Sequence, residues 1–195
     1  MDHFNYRDGQ LYAEDVSVAE IAASVGTPFY VYSTATLVRH FQLFDDALDG
    51  MDHCICYAMK AASNQAILKT LGNLGAGMDV VSGGEYRRAI SAGIPPEKIV
   101  FSGVGKTLEE ITLALQNGIR QFNVESDSEL EQISAIASSM NKVAPIAIRI
   151  NPDVDAQTHE KIATGKAENK FGIPISRREM FILKPPKCQA SVLWE

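Results

Sequence analysis

Two side chains in this sequence have the types and positions that carbonyl-amine chemistry needs. Lys60 lies in Tyr57-Ala58-Met59-Lys60-Ala61, where an apolar run typical of a strand gives out. An amine set against such a strand is expected to lose hydration, which disfavours its charged form, and a neutral amine can form an imine with an aldehyde cofactor. The competing reading is a lysine that extends past the strand to meet water. Nineteen positions later the next apolar run contains Asp79, followed by Ser82-Gly83-Gly84-Glu85. The glycine pair would open a helix, and a helix start can hold an anion. Alone, Asp79 reads as a solvated carboxylate and the glycines as a tight turn; beside Lys60 they point to one site.

A third residue, Arg149, interrupts Ile146-Ala147-Ile148-Arg149-Ile150. A buried guanidinium requires a carboxylate or other acceptor, and Asp79 is the expected partner. The string Ser102-Gly103-Val104-Gly105-Lys106-Thr107 imitates the end of a phosphate-binding loop, but the glycine that loop needs is replaced by Val100. Lys106 is therefore expected at the surface or the site rim. His3, His40, His53 and His159 lack metal-ligand spacing, so no metal is expected.

The elements that must position these residues alternate. Strands are expected at 29–33, 54–57, 78–81, 99–102, 121–124 and 146–150, and helices at 64–71, 84–91, 108–116 and 128–140, with Gly72, Gly93 and Gly118 as stops. From Tyr57 through Asp79, Phe101 and Asn123 to Arg149 the intervals are 22, 22, 22 and 26 residues. A near-constant βα unit implies a parallel sheet, either doubly wound or part of a (β/α)8 barrel. The even period, with no glycine-rich dinucleotide turn, favours the barrel, of which about five units are present. Three regions follow: 1–28, with a hairpin turn at Asp8-Gly9-Gln10 and a capped helix over 17–25, belonging to another domain; 29–174, the partial barrel; and 175–195, an atypical tail. Pro185-Pro186 blocks both a sixth helix and a sixth strand there, and the tail is read as truncated or altered in frame. The polar stretch 153–169 is a plain loop or a lid.

A net charge of -6 argues against a nucleic-acid partner, which calls for a basic face. Three cysteines, two of them in an apolar run, suit a reducing cytoplasm, and no stretch approaches a membrane span.

The strings Tyr57 to Asn64 and Asp79 to Glu85 resemble the fold type III pyridoxal-phosphate decarboxylases, which act on ornithine, arginine and diaminopimelate. Gly26-Thr27-Pro28-Phe29-Tyr30-Val31-Tyr32, Thr158-His159-Glu160-Lys161-Ile162 and Lys170-Phe171-Gly172-Ile173 resemble the diaminopimelate branch. The resemblance covers roughly residues 8–174. It implies that Lys60 carries pyridoxal 5'-phosphate, that Asp79 and Arg149 flank it, and that Lys170 lies near an active site shared across a homodimer. It further implies a soluble carboxy-lyase of lysine biosynthesis that takes meso-diaminopimelate to L-lysine, with residues 1–28 belonging to the family's second, β-rich domain. The family's His-x-His strand, its glycine-rich phosphate cradle and its acid for the pyridine nitrogen have no counterpart in this sequence, so this chain is expected to be an inactive fragment. The alternatives are a non-catalytic pyridoxal-phosphate-binding barrel, an ornithine- or arginine-type decarboxylase, and a remnant that associates through an open strand edge.

Overall fold

The computed structural model describes residues 2–151, 172–174 and 188–194. The chain begins with a small antiparallel sheet of β1 (Phe4–Arg7), β2 (Gln10–Ala13) and β3 (Val16–Ser17). Arg7 pairs with Gln10 across the turn, and Asp8 (φ 49°) and Gly9 (φ 76°) both take the left-handed conformation that a two-residue hairpin needs. Helix α1 (Val18–Val25) opens on a capping box, with the Ser17 hydroxyl accepting from the Glu20 amide and the Glu20 carboxylate accepting from the Ser17 amide.

The strand expected at 29–33 does not form. This stretch is irregular, and Tyr30 is 91% exposed. Aromatic and β-branched residues favour a strand only where a neighbouring strand offers a pleated surface to pack on; here the segment instead runs into helix α2 (Thr34–Ala47). Ser33 caps that helix by accepting from the Thr36 amide while its hydroxyl donates to Glu14, 2.7 Å away.

From β4 to β8 the elements alternate as expected: β4 (Cys56–Ala58), α3 (Gln65–Asn73), β5 (Gly77–Val80), α4 (Gly83–Ser91), β6 (Ile99–Phe101), α5 (Leu108–Gln116), β7 (Gln121–Val124), α6 (Asp127–Ser139) and β8 (Ala144–Asn151); two strands that were not expected, β9 (Ile173–Pro174) and β10 (Cys188–Trp194), follow. Every pairing in the large sheet is parallel, in the order β10-β8-β7-β6-β5-β4, with β9 also beside the end of β8. A doubly wound sheet reverses its strand order near the middle. This one proceeds in chain order, as a barrel wall does. The expectation that the tail adds no strand is wrong, because β10 pairs with β8 from Cys188↔Ala144 to Trp194↔Ile150. Proline restricts its own φ and the residue before it, and β10 starts clear of Pro185-Pro186.

Ladder partners share a face, so the register divides the sheet. Met78, Val80, Ile99, Phe101, Phe122, Val124, Ile146 and Ile148 form one face, fully buried beneath Leu68, Ile111 and Ile133 of the helices. The Phe101 and Phe122 rings stack at 6.3 Å. The other face carries Ala58, Asp79, Val100, Gln121, Asn123, Ala147 and Arg149, and it corresponds to a barrel interior. Asn64, Ser82, Thr107 and Ser126 each accept a backbone N–H at the start of α3, α4, α5 and α6, which fixes how each strand end hands the chain to its helix. Gly93 (φ 87°) and Gly118 (φ 77°) sit just past α4 and α5, whereas Gly72 lies inside α3 and is not its stop. At Gly77 a Cβ would fall 2.2 Å from the Lys98 carbonyl oxygen and 2.9 Å from the Cys56 sulfur, so β5 can approach these neighbours only with glycine there.

Candidate functional site

Lys60 sits where β4 ends. The ladder runs one step past Ala58, with the Met59 amide donating to the Asp79 carbonyl at 3.0 Å, and Lys60 occupies the turn that follows. Its side chain is exposed rather than desolvated. Among the described residues β4 has only β5 beside it in the sheet.

Asp79, on the adjacent strand, points its carboxylate to the inner face. The Ser102 hydroxyl donates to Asp79 Oδ1 at 2.6 Å, Asn123 Nδ2 donates to Ser102 Oγ at 2.9 Å, and Gln121 Nε2 donates to Asn123 Oδ1 at 2.7 Å. Burial pushes the Asp79 carboxyl up from the usual carboxylate range, while the Ser102 bond and the Lys60 charge pull against that rise.

The partner expected for Arg149 is corrected. Its guanidinium meets Glu125 Oε2 at 3.1 Å, and the two side chains are 14% and 2% exposed. Glu125 follows β7, one ladder step beyond Val124↔Ile148, so it lies directly across from Arg149 on the neighbouring strand, whereas Asp79 is three strands away. Glu125 Oε1 also accepts the Gly103 amide at 3.0 Å.

Lys106 is corrected as well, since it is neither a surface nor a rim residue. Its side chain is 1% exposed, and Nζ donates to the carbonyls of Gly103 (2.8 Å) and Asn123 (2.7 Å) and to Glu129 Oε1 (2.5 Å). The other Glu129 oxygen accepts the Glu125 amide at 2.9 Å. All three ammonium protons are used, which makes burial of the charge tolerable. The loop after β6 is thereby tied to β7 and α6.

The opening of α4 does not offer Gly83 to an external anion. The Gly83 amide donates to Glu110 Oε1 at 2.6 Å, and a Cβ on Gly83 would fall 2.9 Å from Glu110 Cγ. Burial alone would push the Glu110 carboxyl up, but the Gly83 and Thr107 hydrogen bonds outweigh it and hold the group below its usual range.

Ser102, Gln121, Asn123, Glu125 and Glu129 were not expected in the site from the sequence, although Asn123 marked a strand end and Ser102 opened the rejected phosphate-loop string. One signal was present for two of them. Glu125 and Glu129 bracket the capping residue Ser126 at a strand-to-helix joint, and a four-residue spacing lets the second carboxylate reach back over the cap. Lys170 and the 153–169 stretch lie outside the described residues. Among the described residues, no group of three or more metal-ligating side chains occurs, no helix is long and apolar enough to cross a membrane, and Cys54 and Cys56 are free.

What the arrangement can do follows from its donor set. An exposed primary amine at a strand end, with a half-buried carboxylate on the adjoining strand, fits the aldehyde end of an amine-binding cofactor.

Residues 34–188 match the family described as "Pyridoxal-dependent decarboxylase, pyridoxal binding domain". The chain is 54% identical over 178 residues to diaminopimelate decarboxylase of Vibrio cholerae, with 91% of this chain and 43% of that protein covered, and 51% identical over 179 residues to that of Pseudomonas aeruginosa, with 92% and 43% covered. The crystal structure of diaminopimelate decarboxylase from Helicobacter pylori complexed with L-lysine superposes with a TM-score of 0.86 at 45% identity, over 90% of this chain and 46% of that one. The chain therefore spans less than half the length of the relatives it matches.

Proposed function

The chain belongs to the pyridoxal-binding domain family of the pyridoxal-dependent decarboxylases, and we propose that it is the amino-terminal part of an enzyme that decarboxylates meso-diaminopimelate to L-lysine. The observation that carries this reading is Lys60 at the carboxyl end of β4 with Asp79 on the next strand, at the barrel face where active sites form. The relatives act as the guide to substrate: two share half of their aligned residues with this chain under the name diaminopimelate decarboxylase, and a third was crystallised with L-lysine.

Bound at Lys60, pyridoxal phosphate would supply an aldehyde and an electron-withdrawing ring. Lys60 presents its amine to solvent, where the aldehyde arrives. Asp79 places a carboxylate on the same strand-end surface, and a carboxylate there favours a positive charge on nearby nitrogen. Arg149, held by Glu125, adds a fixed cation on the same face. Lys170 is proposed to serve a site shared across a homodimer, residues 1–28 to belong to the second domain, 29–174 to the barrel, and the whole enzyme to the cytoplasm.

The test is chemical. The chain is incubated with pyridoxal phosphate, reduced with borohydride and digested, and the modified peptide is mapped. The expected label is on Lys60 and vanishes in Lys60→Arg; a label that settles on Lys69, Lys98 or Lys142 instead overturns the assignment.

A further inference from the structure

We propose that Gln121, Asn123 and Ser102 form a one-way hydrogen-bond chain that holds the Asp79 carboxylate as an acceptor at the sheet end carrying Lys60, which makes Ser102 and Asn123 positioning residues of this site. The three links span β7, the loop after β6, and β5, and every donor faces Asp79: Gln121 Nε2 to Asn123 Oδ1, Asn123 Nδ2 to Ser102 Oγ, and Ser102 Oγ to Asp79 Oδ1.

The direction follows from donor inventory. An ionised carboxylate only accepts, so the Ser102 hydroxyl must donate to it; the hydroxyl oxygen then takes the Asn123 NH2, and the Asn123 carbonyl takes the Gln121 NH2. A protonated Asp79 could still accept the Ser102 hydroxyl through the oxygen that lacks the proton, but a hydrogen bond to a neutral carboxyl is weaker than one to a carboxylate. Asn123, 9% exposed, donates its side-chain NH2 to the Ser102 oxygen and so keeps the Ser102 hydroxyl directed at Asp79. The chain thus opposes proton uptake at a group whose burial otherwise favours it. The charged and titratable groups around Asp79 are Cys56 from β4, Lys60 from the turn after it, Glu85 from α4 and Lys106 from the loop after β6, while Arg149 on β8 is paired with Glu125.

The bearing of this chain on amine chemistry rests on the proposed function, but its existence does not, so the test omits the cofactor. The Asp79 carboxyl carbon is followed by NMR as pH is varied in the 195-residue chain, with circular dichroism to confirm folding. Ser102→Ala is expected to raise the proton affinity of Asp79 by about tenfold, the scale of one hydrogen bond to a charged group, and Ser102→Thr to restore it. Asn123→Ala is expected to raise it less, and to add nothing in the Ser102→Ala background. An unchanged midpoint in Ser102→Ala overturns the proposal, as does an Asn123→Ala effect of equal size with and without Ser102. If Asn123→Ala unfolds, Gln121→Ala at the far end of the chain takes its place under the same criterion. Borohydride labelling of Lys60 is scored separately, so loss of that label alongside an intact Asp79 shift counts against the function and not against the chain.

Discussion

The two faces of the large sheet are built from alternate residues of the same strands, yet they answer to different rules. Under the helices, Met78, Val80, Ile99, Phe101, Phe122 and Ile148 are at most 1% exposed and hold the fold by apolar burial. On the inner face, Asp79, Ser102, Gln121, Asn123 and Arg149 exchange hydrogen bonds and charge, and Glu125, Glu129 and Lys106 extend that network past the strand ends. One face contributes most of the stability. The other spends stability on placing polar groups, which is the usual relation between a core and a site.

Three substitutions would sharpen or break that contrast. Phe101→Ala removes a fully buried ring stacked on Phe122, and urea titration should show a loss of about 4 kcal/mol; a loss below 1 kcal/mol would mean that the helix-covered face is not the main support. Lys106→Met leaves Glu129 buried without its counter-charge, and a loss of about 3 kcal/mol is expected, most of it recovered in the double variant Lys106→Met, Glu129→Leu. No recovery would show that the pair itself, rather than the abandoned charge, carries the stability. Asp79→Asn has the smallest effect and the opposite sign. Burial raises the Asp79 carboxyl in the folded chain, so above that midpoint the ionised group opposes folding, and below the unfolded value the opposition disappears. The asparagine variant should therefore be the more stable near pH 7 and lose its advantage as pH falls below about 4, as thermal unfolding across that range would reveal. A variant less stable at pH 7 would place Asp79 with the supports.

The strand and helix pattern was legible because the helix-covered face is apolar in a regular period. β7 and α5 are found at the residues that pattern predicts, and β4, β5, β6, β8, α3, α4 and α6 shift by only a few residues, whereas α2, β9 and β10 were not expected. Residues 29–33 misled for the same reason in reverse, because composition without a neighbouring strand makes no ladder. The site was less legible. Lys60 and Asp79 announce themselves at strand ends, but the partner of Arg149 depends on which strands are adjacent, and adjacency puts Glu125 beside it rather than Asp79. Lys106 was misplaced because a lysine in a glycine-rich loop looks solvated until the carbonyls of Gly103 and Asn123 and the Glu129 carboxylate converge on it. Position along a chain predicts pairing within an element far better than pairing between elements.

Gly77 has a consequence for how this sequence can vary. A backbone oxygen of Lys98 lies where a methyl group would have to go, and main chain cannot rotate aside as a side chain can. Mutational drift at position 77 is closed even to alanine, while Gly105, with open space around it, stays free to change.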